Sequence, residues 1–169
     1  MEYQLVRQFV RSLKNLDAIL DKAQKHAEAR KFDPDNYFSM RLFPDMLPFS
    51  AQVRIACDTA KATAANLAGK EAPKHEDNEK TFVELRGRIA KCVAYLETFT
   101  EKDFANVKAD GLIKLPNRPG KALRAHEYLI ARQVPNFYFH VTTAYDMLRA
   151  GGVELGKADY LGTLELVDV

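Results

Sequence analysis

The sequence of 169 residues contains no tryptophan and only two cysteines, Cys57 and Cys92. These thiols are far apart and lack C-x-x-C spacing, which excludes a disulfide framework and a thiolate zinc motif. We expect both to be small core residues. The chain also lacks an apolar run long enough to span a bilayer, and its N-terminus lacks the apolar segment of a signal peptide. We therefore expect a cytoplasmic protein with no membrane partner.

An excess of charge of one sign is missing as well. The sequence has 25 Lys and Arg against 23 Asp and Glu, and the two signs are interspersed. Because nucleic-acid binding relies on clustered positive charge, this distribution predicts no nucleic-acid partner. With 47% hydrophobic residues, a chain of this size can bury one core without metals or disulfides. We interpret residues 1–169 as a single domain.

What the sequence does contain is helical periodicity. Apolar residues from Leu5 to Ala27 recur at spacings of three and four, which predicts a long amphipathic helix over residues 3–29 that ends before Asp33-Pro34. A second helix begins near Pro44 or Pro48 and continues to Leu67.

A third helix is predicted after Thr81, which forms a capping box with Glu84, and its apolar stripe reaches Phe99. Residues 100–134 break the pattern, and Pro119-Gly120 predicts a tight turn between two short extended segments. The segment AHEYLIARQ is predicted to be a short helix.

Pro135 suits the first position of a fourth long helix, which ends at Gly151-Gly152. The resulting architecture is an all-α four-helix bundle with a long, hairpin-containing connection before the fourth long helix.

The fourth helix opens with PNFYFHVTTAY, in which His140 stands among four aromatic residues. A helical projection puts Phe137 on the core stripe and His140 and Asn136 on its flank. It puts Tyr138 and Tyr145 on the opposite flank, and Phe139 away from the core.

The same projection of the second helix puts Asp45 and Gln52 on its inner face. Asp45, Gln52 and His140 would then meet between the two helices, although a start at Pro48 leaves the direction of Asp45 open. Buried polar groups must find partners. The cluster is therefore either a closed hydrogen-bond network or the polar floor of a pocket.

Several segments together resemble a known family: RLFPDMLPFSAQVRIACD, TFVELRGRIAK, PNFYFHVTTAYDMLR and GKADYLG. They are similar to an uncharacterised bacterial family in the DinB/YfiT-like superfamily of metalloenzymes. This resemblance implies an up-down-down-up bundle, frequently dimeric, in which a histidine of the second helix and an HxxxH pair of the fourth bind a divalent metal. Relatives include thiol-dependent transferases and hydrolases.

Carried over to this chain, the resemblance implies a degenerate metal site. His140 matches the first histidine of HxxxH, and Ala144 takes the place of the second. Gln52 takes the place of the metal-binding histidine of the second helix. His140 and Asp45 remain as metal-ligand candidates for zinc or nickel, and absence of any metal is equally consistent.

The site candidates follow from these two arguments. His140, Asp45 and Tyr145 are candidate catalytic residues, and Gln52, Asn136 and Tyr138 are candidate ligand-binding residues. We expect the other three histidines, His26, His75 and His126, to be solvated. We expect the GKADYLG segment to cap the bundle.

Two functions remain open at this stage. One is a metal-dependent hydrolase or transferase with an altered site; the other is a non-catalytic helical bundle that binds a small molecule or a partner without metal. A homodimer fits either function.

Overall fold

The computed structural model of the chain describes residues 1–115 and 118–168. Four long helices form its body, and a short hairpin and short helices connect or follow them. In chain order the elements are α1 (Glu2–Ala29), α2 (Phe49–Leu67), α3 (Phe82–Leu96), β1 (Leu112–Lys114), β2 (Ala122–Arg124), α4 (Ala125–Glu127), α5 (Val134–Ala150) and α6 (Lys157–Leu161).

Contacts along α3 define its direction relative to α1 and α2. Lys14 of α1 bonds Glu97 just beyond the end of α3, whereas Asp17, further along α1, bonds Arg86 near its start, so α1 and α3 are antiparallel. Phe49, at the start of α2, stacks on Phe82 at the start of α3, with ring centroids 5.7 Å apart. Helices α2 and α3 are therefore parallel.

The remaining helix, α5, runs parallel to α1. Phe9 packs on Phe137 with ring centroids 4.3 Å apart, and His26, near the end of α1, lies beside Gly152 just after α5. With α1 and α5 up and α2 and α3 down, the bundle has the up-down-down-up topology that the resemblance implied. The all-α fold class is confirmed.

Helix α2 begins at Phe49 and not near Pro44, because Pro48 is its N-cap. The loop before it folds back and satisfies the first free amides: Phe49 N–H donates to the carbonyl of Met40 at 2.9 Å. Asp45 consequently lies in an exposed turn outside the helix. The expectation that Asp45 shares an inner helical face with Gln52 is therefore wrong.

The capping box of α3 is confirmed, since Glu84 N–H donates to Thr81 Oγ1 at 3.2 Å and Thr81 N–H donates to Glu84 Oε2 at 3.1 Å. The helix ends at Leu96, before Phe99, but Phe99 is still buried.

The predicted hairpin forms between β1 and β2, which pair antiparallel with Ile113 opposite Leu123. Its turn has Pro119 followed by Gly120 at a φ of 74°, the positive value that the third residue of a type II turn requires. Residues 116 and 117 of this connection lie outside the described residues.

The predicted short helix and fourth long helix are continuous. Helix α4 passes into a π-helical turn, Tyr128–Gln133, which leads directly into α5. Pro135 explains the wider turn, because it has no N–H to bond the carbonyl four residues earlier and its ring would clash there. The π-turn also directs Gln133 inward, where it is 3% exposed.

The core is apolar, but one arginine is buried at its edge. Arg88 of α3 is 2% exposed and bonds three carboxylates, those of Asp58 at 2.8 Å, Asp77 at 3.0 Å and Glu79 at 2.9 Å. Glu79 also accepts a hydrogen bond from Arg54 Nε at 2.8 Å. These bonds attach the connection between α2 and α3 to both helices.

Cys57 and Cys92 are both buried and free, as expected for core residues. None of the helices in the described ranges combines the length and the apolar character that a membrane span needs.

We expect Arg88→Ala to lower the free energy of unfolding by about 1.5–3 kcal/mol, because the largely buried Glu79 loses one of its two cations, whereas Asp58 and Asp77 stay exposed to water. Arg86→Ala is the matched control: its side chain is 28% exposed and its partners Asp17 and Asp21 are each 37% exposed. We expect this control to cost at most about 1 kcal/mol. Urea unfolding of both variants makes the comparison, and equal losses would contradict the assigned role of Arg88.

Candidate functional site

Gln52 and His140 meet between α2 and α5. His140 Nδ1 lies 2.7 Å from Gln52 Oε1, and Gln52 Nε2 donates to the carbonyl of Leu47 at 3.0 Å. Gln52 is 2% exposed and His140 7%. The sequence-based expectation that these two side chains meet is confirmed.

Further hydrogen bonds continue along the same two helices. Asn136 Nδ2 donates to Thr59 Oγ1 at 2.8 Å, and Gln133 Nε2 donates to Thr63 Oγ1 at 3.1 Å. Residue numbers rise along α2 while those of the partners fall toward the start of α5, as expected for antiparallel helices. Each hydrogen-bonded pair thus forms one rung between the two helices. We call this set of hydrogen bonds the polar seam; its residues are Gln52, Thr59, Thr63, Asn66, Tyr128, Gln133, Asn136 and His140.

The last rung involves the π-turn. Tyr128 OH accepts from Asn66 Nδ2 at 2.8 Å and from Gln133 Nε2 at 2.9 Å. Burial raises the pKa of Tyr128, so its hydroxyl remains protonated at neutral pH. Apart from His140, whose protonation state is considered next, every residue of the polar seam is therefore uncharged at neutral pH.

His140 is neutral at pH 7 because burial lowers its pKa below the ordinary histidine value, and no charged neighbour compensates. The amide of Gln52 also selects its tautomer. Since Gln52 Nε2 is committed to the carbonyl of Leu47, Gln52 presents its oxygen to His140, and an oxygen acceptor requires the proton on Nδ1.

The second ring nitrogen of His140, Nε2, then carries a lone pair. It has no hydrogen-bond partner among the residues that the structure describes, and it is not one of the fully buried side-chain atoms that lack a partner. The nitrogen is therefore not completely enclosed, in a side chain that is 7% exposed. The exposed ring of Phe139 lies 5.2 Å from the imidazole, measured between ring centroids. Leu47, whose carbonyl bonds Gln52, is also exposed.

The two tyrosine candidates lie elsewhere. Tyr138 packs on Phe9 of α1, and Tyr145 packs edge to face on Tyr160 of α6 with centroids 5.8 Å apart. Both point to the α1 side of α5, whereas His140 points to α2. The structure therefore brings together Gln52, His140 and, one rung along, Asn136, but not Asp45, Tyr138 or Tyr145.

Comparison with known proteins agrees with this fold. A family profile of DUF1993, a domain of unknown function, matches residues 2–161. The chain belongs to the DUF1993 family. It is also similar to the crystal structure of a DinB family member protein from Shewanella denitrificans, with 49% identity over 99% of this chain and 95% of that chain and a TM-score of 0.94. No curated protein gives a significant match.

The DinB-like resemblance is thereby confirmed. The residues of this chain can now be compared with the three-histidine metal site that the resemblance implied. In this DUF1993 chain, the position four residues after His140 is Ala144, which is fully buried and has no donor atom. Gln52 uses its oxygen for His140 and its nitrogen for Leu47. One imidazole nitrogen remains, which does not fit a three-histidine site.

Other ligands do not replace the missing histidines. In residues 1–115 and 118–168, no group of three or more His, Cys, Asp or Glu is placed to hold a metal ion. A hydrogen bond with Cys92 and burial raise the pKa of Cys57 well above its ordinary value, which disfavours the thiolate that a metal would need.

The remaining histidines differ in their surroundings. His126 is exposed, as expected, but His26 is half-buried with Nδ1 2.7 Å from Tyr37 OH. His75 is also half-buried, and its Nδ1 is a buried atom without a partner. The expectation of solvated side chains was wrong for His26 and His75.

We expect Gln52→Glu to raise the pKa of His140, because a carboxylate at this position stabilises the imidazolium that the neutral amide does not. The imidazole should then keep its proton to higher pH than in the wild type. Titration of histidine ¹⁵N resonances measures the change, with His126 as an internal reference. A His140 pKa that stays unchanged or falls would contradict the geometry of this pair.

Proposed function

We propose that this DUF1993 protein binds a small molecule without a metal and recognises it through the lone pair of His140 Nε2. The observation that carries this proposal is the bond from His140 Nδ1 to Gln52, which fixes the tautomer and leaves Nε2 as an acceptor. The complementary ligand group is an O–H or N–H donor.

The surroundings of His140 favour an apolar ligand body. Phe139, whose ring lies beside His140, is 58% exposed, and Leu47, whose carbonyl bonds Gln52, is 49% exposed. Because the seam is neutral, it offers no opposite charge to an ionic ligand. We therefore infer a neutral molecule with a hydrogen-bond donor on an aromatic or apolar body.

A catalytic role for His140 has less support than binding. A general base needs a group that stabilises the imidazolium, and Gln52 supplies a dipole but no charge. Asp45, the carboxylate considered from the sequence, lies in an exposed turn. Hydrolase or transferase activity therefore remains the alternative function. The cytoplasmic location and the homodimer are likewise retained as proposals.

Metal content is the first test. We expect purified protein, dialysed against zinc or nickel and then freed of unbound ions, to retain the same small amount of metal in wild type and His140→Ala. Elemental analysis by mass spectrometry measures this. Near-stoichiometric metal in the wild type that disappears in His140→Ala would overturn the metal-independent function.

Ligand recognition is tested with phenol and anisole, which have similar rings but differ in the hydroxyl donor. We expect phenol to shift the Nε2 resonance of His140 in a saturable manner and anisole to have a much weaker effect. His140→Ala should abolish the phenol response, whereas His126→Ala, at an exposed site, should not. Equal responses to both compounds, or no response, would contradict the proposed acceptor.

A further inference from the structure

A cavity lies between α1 and the end of α3, on the side of the bundle opposite the polar seam. Its volume is about 460 Å³, within the range of small-molecule sites. The polar seam lies between α2 and α5, so this cavity shares no residue with it. Its features can therefore be assigned independently of the function proposed for His140.

The inner surface of the cavity is apolar. Val6 and Leu96 are each 1% exposed and Phe99 is 4% exposed, and half-buried Tyr3 and Val10 extend this surface outward. The accessible apolar surface is that of Tyr3 and Val10, and a ligand with an apolar chain would remove part of it from water, which is favourable in proportion to the area covered.

The outer wall is cationic. Arg7, Arg11 and Lys14 follow one another at helical spacing along α1, and Glu97 is the one carboxylate that lines the cavity with them. Lys14 and Glu97 neutralise each other in an ion pair of 2.6 Å. Two guanidinium groups therefore remain to face an anion.

These two arginines differ in how they are held. Arg11 Nη2 donates to the carbonyls of Leu161 at 3.1 Å and Thr163 at 2.6 Å, which fixes its side chain while Nε and Nη1 keep their donors. Arg7 is exposed and has no hydrogen-bond or ion-pair partner in the described ranges. One guanidinium is thus pre-positioned, and a free one lies a turn away.

We propose that this cavity is a binding site for a monocarboxylate with an apolar chain. The carboxylate lies between Arg7 and Arg11, because guanidinium groups bind carboxylates through charge-assisted hydrogen bonds. The apolar chain covers Tyr3 and Val10 above the buried Val6, Leu96 and Phe99. Neither part of the site suffices alone: the apolar surface does not distinguish charge, and the arginines do not require a chain.

The test uses octanoate, with octanol and butyrate as matched comparators that remove the charge or most of the chain. We expect octanoate to bind saturably and to shift the methyl resonances of Val10 and Leu96, and octanol and butyrate to bind more weakly. Arg7→Gln should weaken octanoate binding about tenfold. Arg124→Gln, an exposed arginine outside the cavity, is the control and should have no effect.

Each other outcome overturns the proposal. Absence of saturation below the concentration at which octanoate forms micelles would show that the cavity is not such a site. Octanol binding as tightly as octanoate would leave only an apolar pocket, and butyrate binding as tightly would leave only an anion site. Octanoate binding that Arg7→Gln does not change would place the ligand elsewhere on the protein.

Discussion

The need to pair every polar group that α2 buries is the constraint on which the rest of the bundle depends. Toward α5 this helix presents Gln52, Thr59 and Thr63, and each finds an uncharged partner on the antiparallel helix or its preceding π-turn. A shift of α5 by one turn would break these rungs together, and each buried group left without a partner costs about 1–3 kcal/mol. The seam therefore fixes the register of the helices as well as the position of His140.

The buried polar groups on the two sides of α2 are paired in different ways, and this difference decides whether a proton on His140 is stabilised. Toward α3 the buried groups are charged, with Arg88 among carboxylates. Toward α5 they are neutral, so nothing in the seam stabilises a proton on His140 or replaces the missing imidazoles of a metal site. The same fold can thus bury an arginine among carboxylates on one side of α2 and keep a histidine neutral on the other.

The sequence allowed the long helices, the capping box at Thr81 and the meeting of Gln52 with His140 to be predicted, because each depends on local spacing. Asp45 could not be assigned, since the start of α2 depends on which proline the loop accommodates. Gln133 was missed because its inward direction comes from the π-turn, and a regular helical projection does not contain that turn. Thr59 and Thr63 were missed because their short side chains gave no signal without their partners.

Stability alone does not explain why the pair between α2 and α5 is Gln and His. Replacing both members of a buried hydrogen-bonded pair by apolar groups of similar shape can be nearly neutral. At this site the replacement would leave only the carbonyl of Leu47, the second partner of Gln52, without its donor. A histidine whose second nitrogen is not completely enclosed adds no internal bond beyond the one to Gln52. What the histidine adds is an acceptor of fixed direction at the end of an otherwise satisfied network, and this is the feature on which the proposed ligand recognition depends.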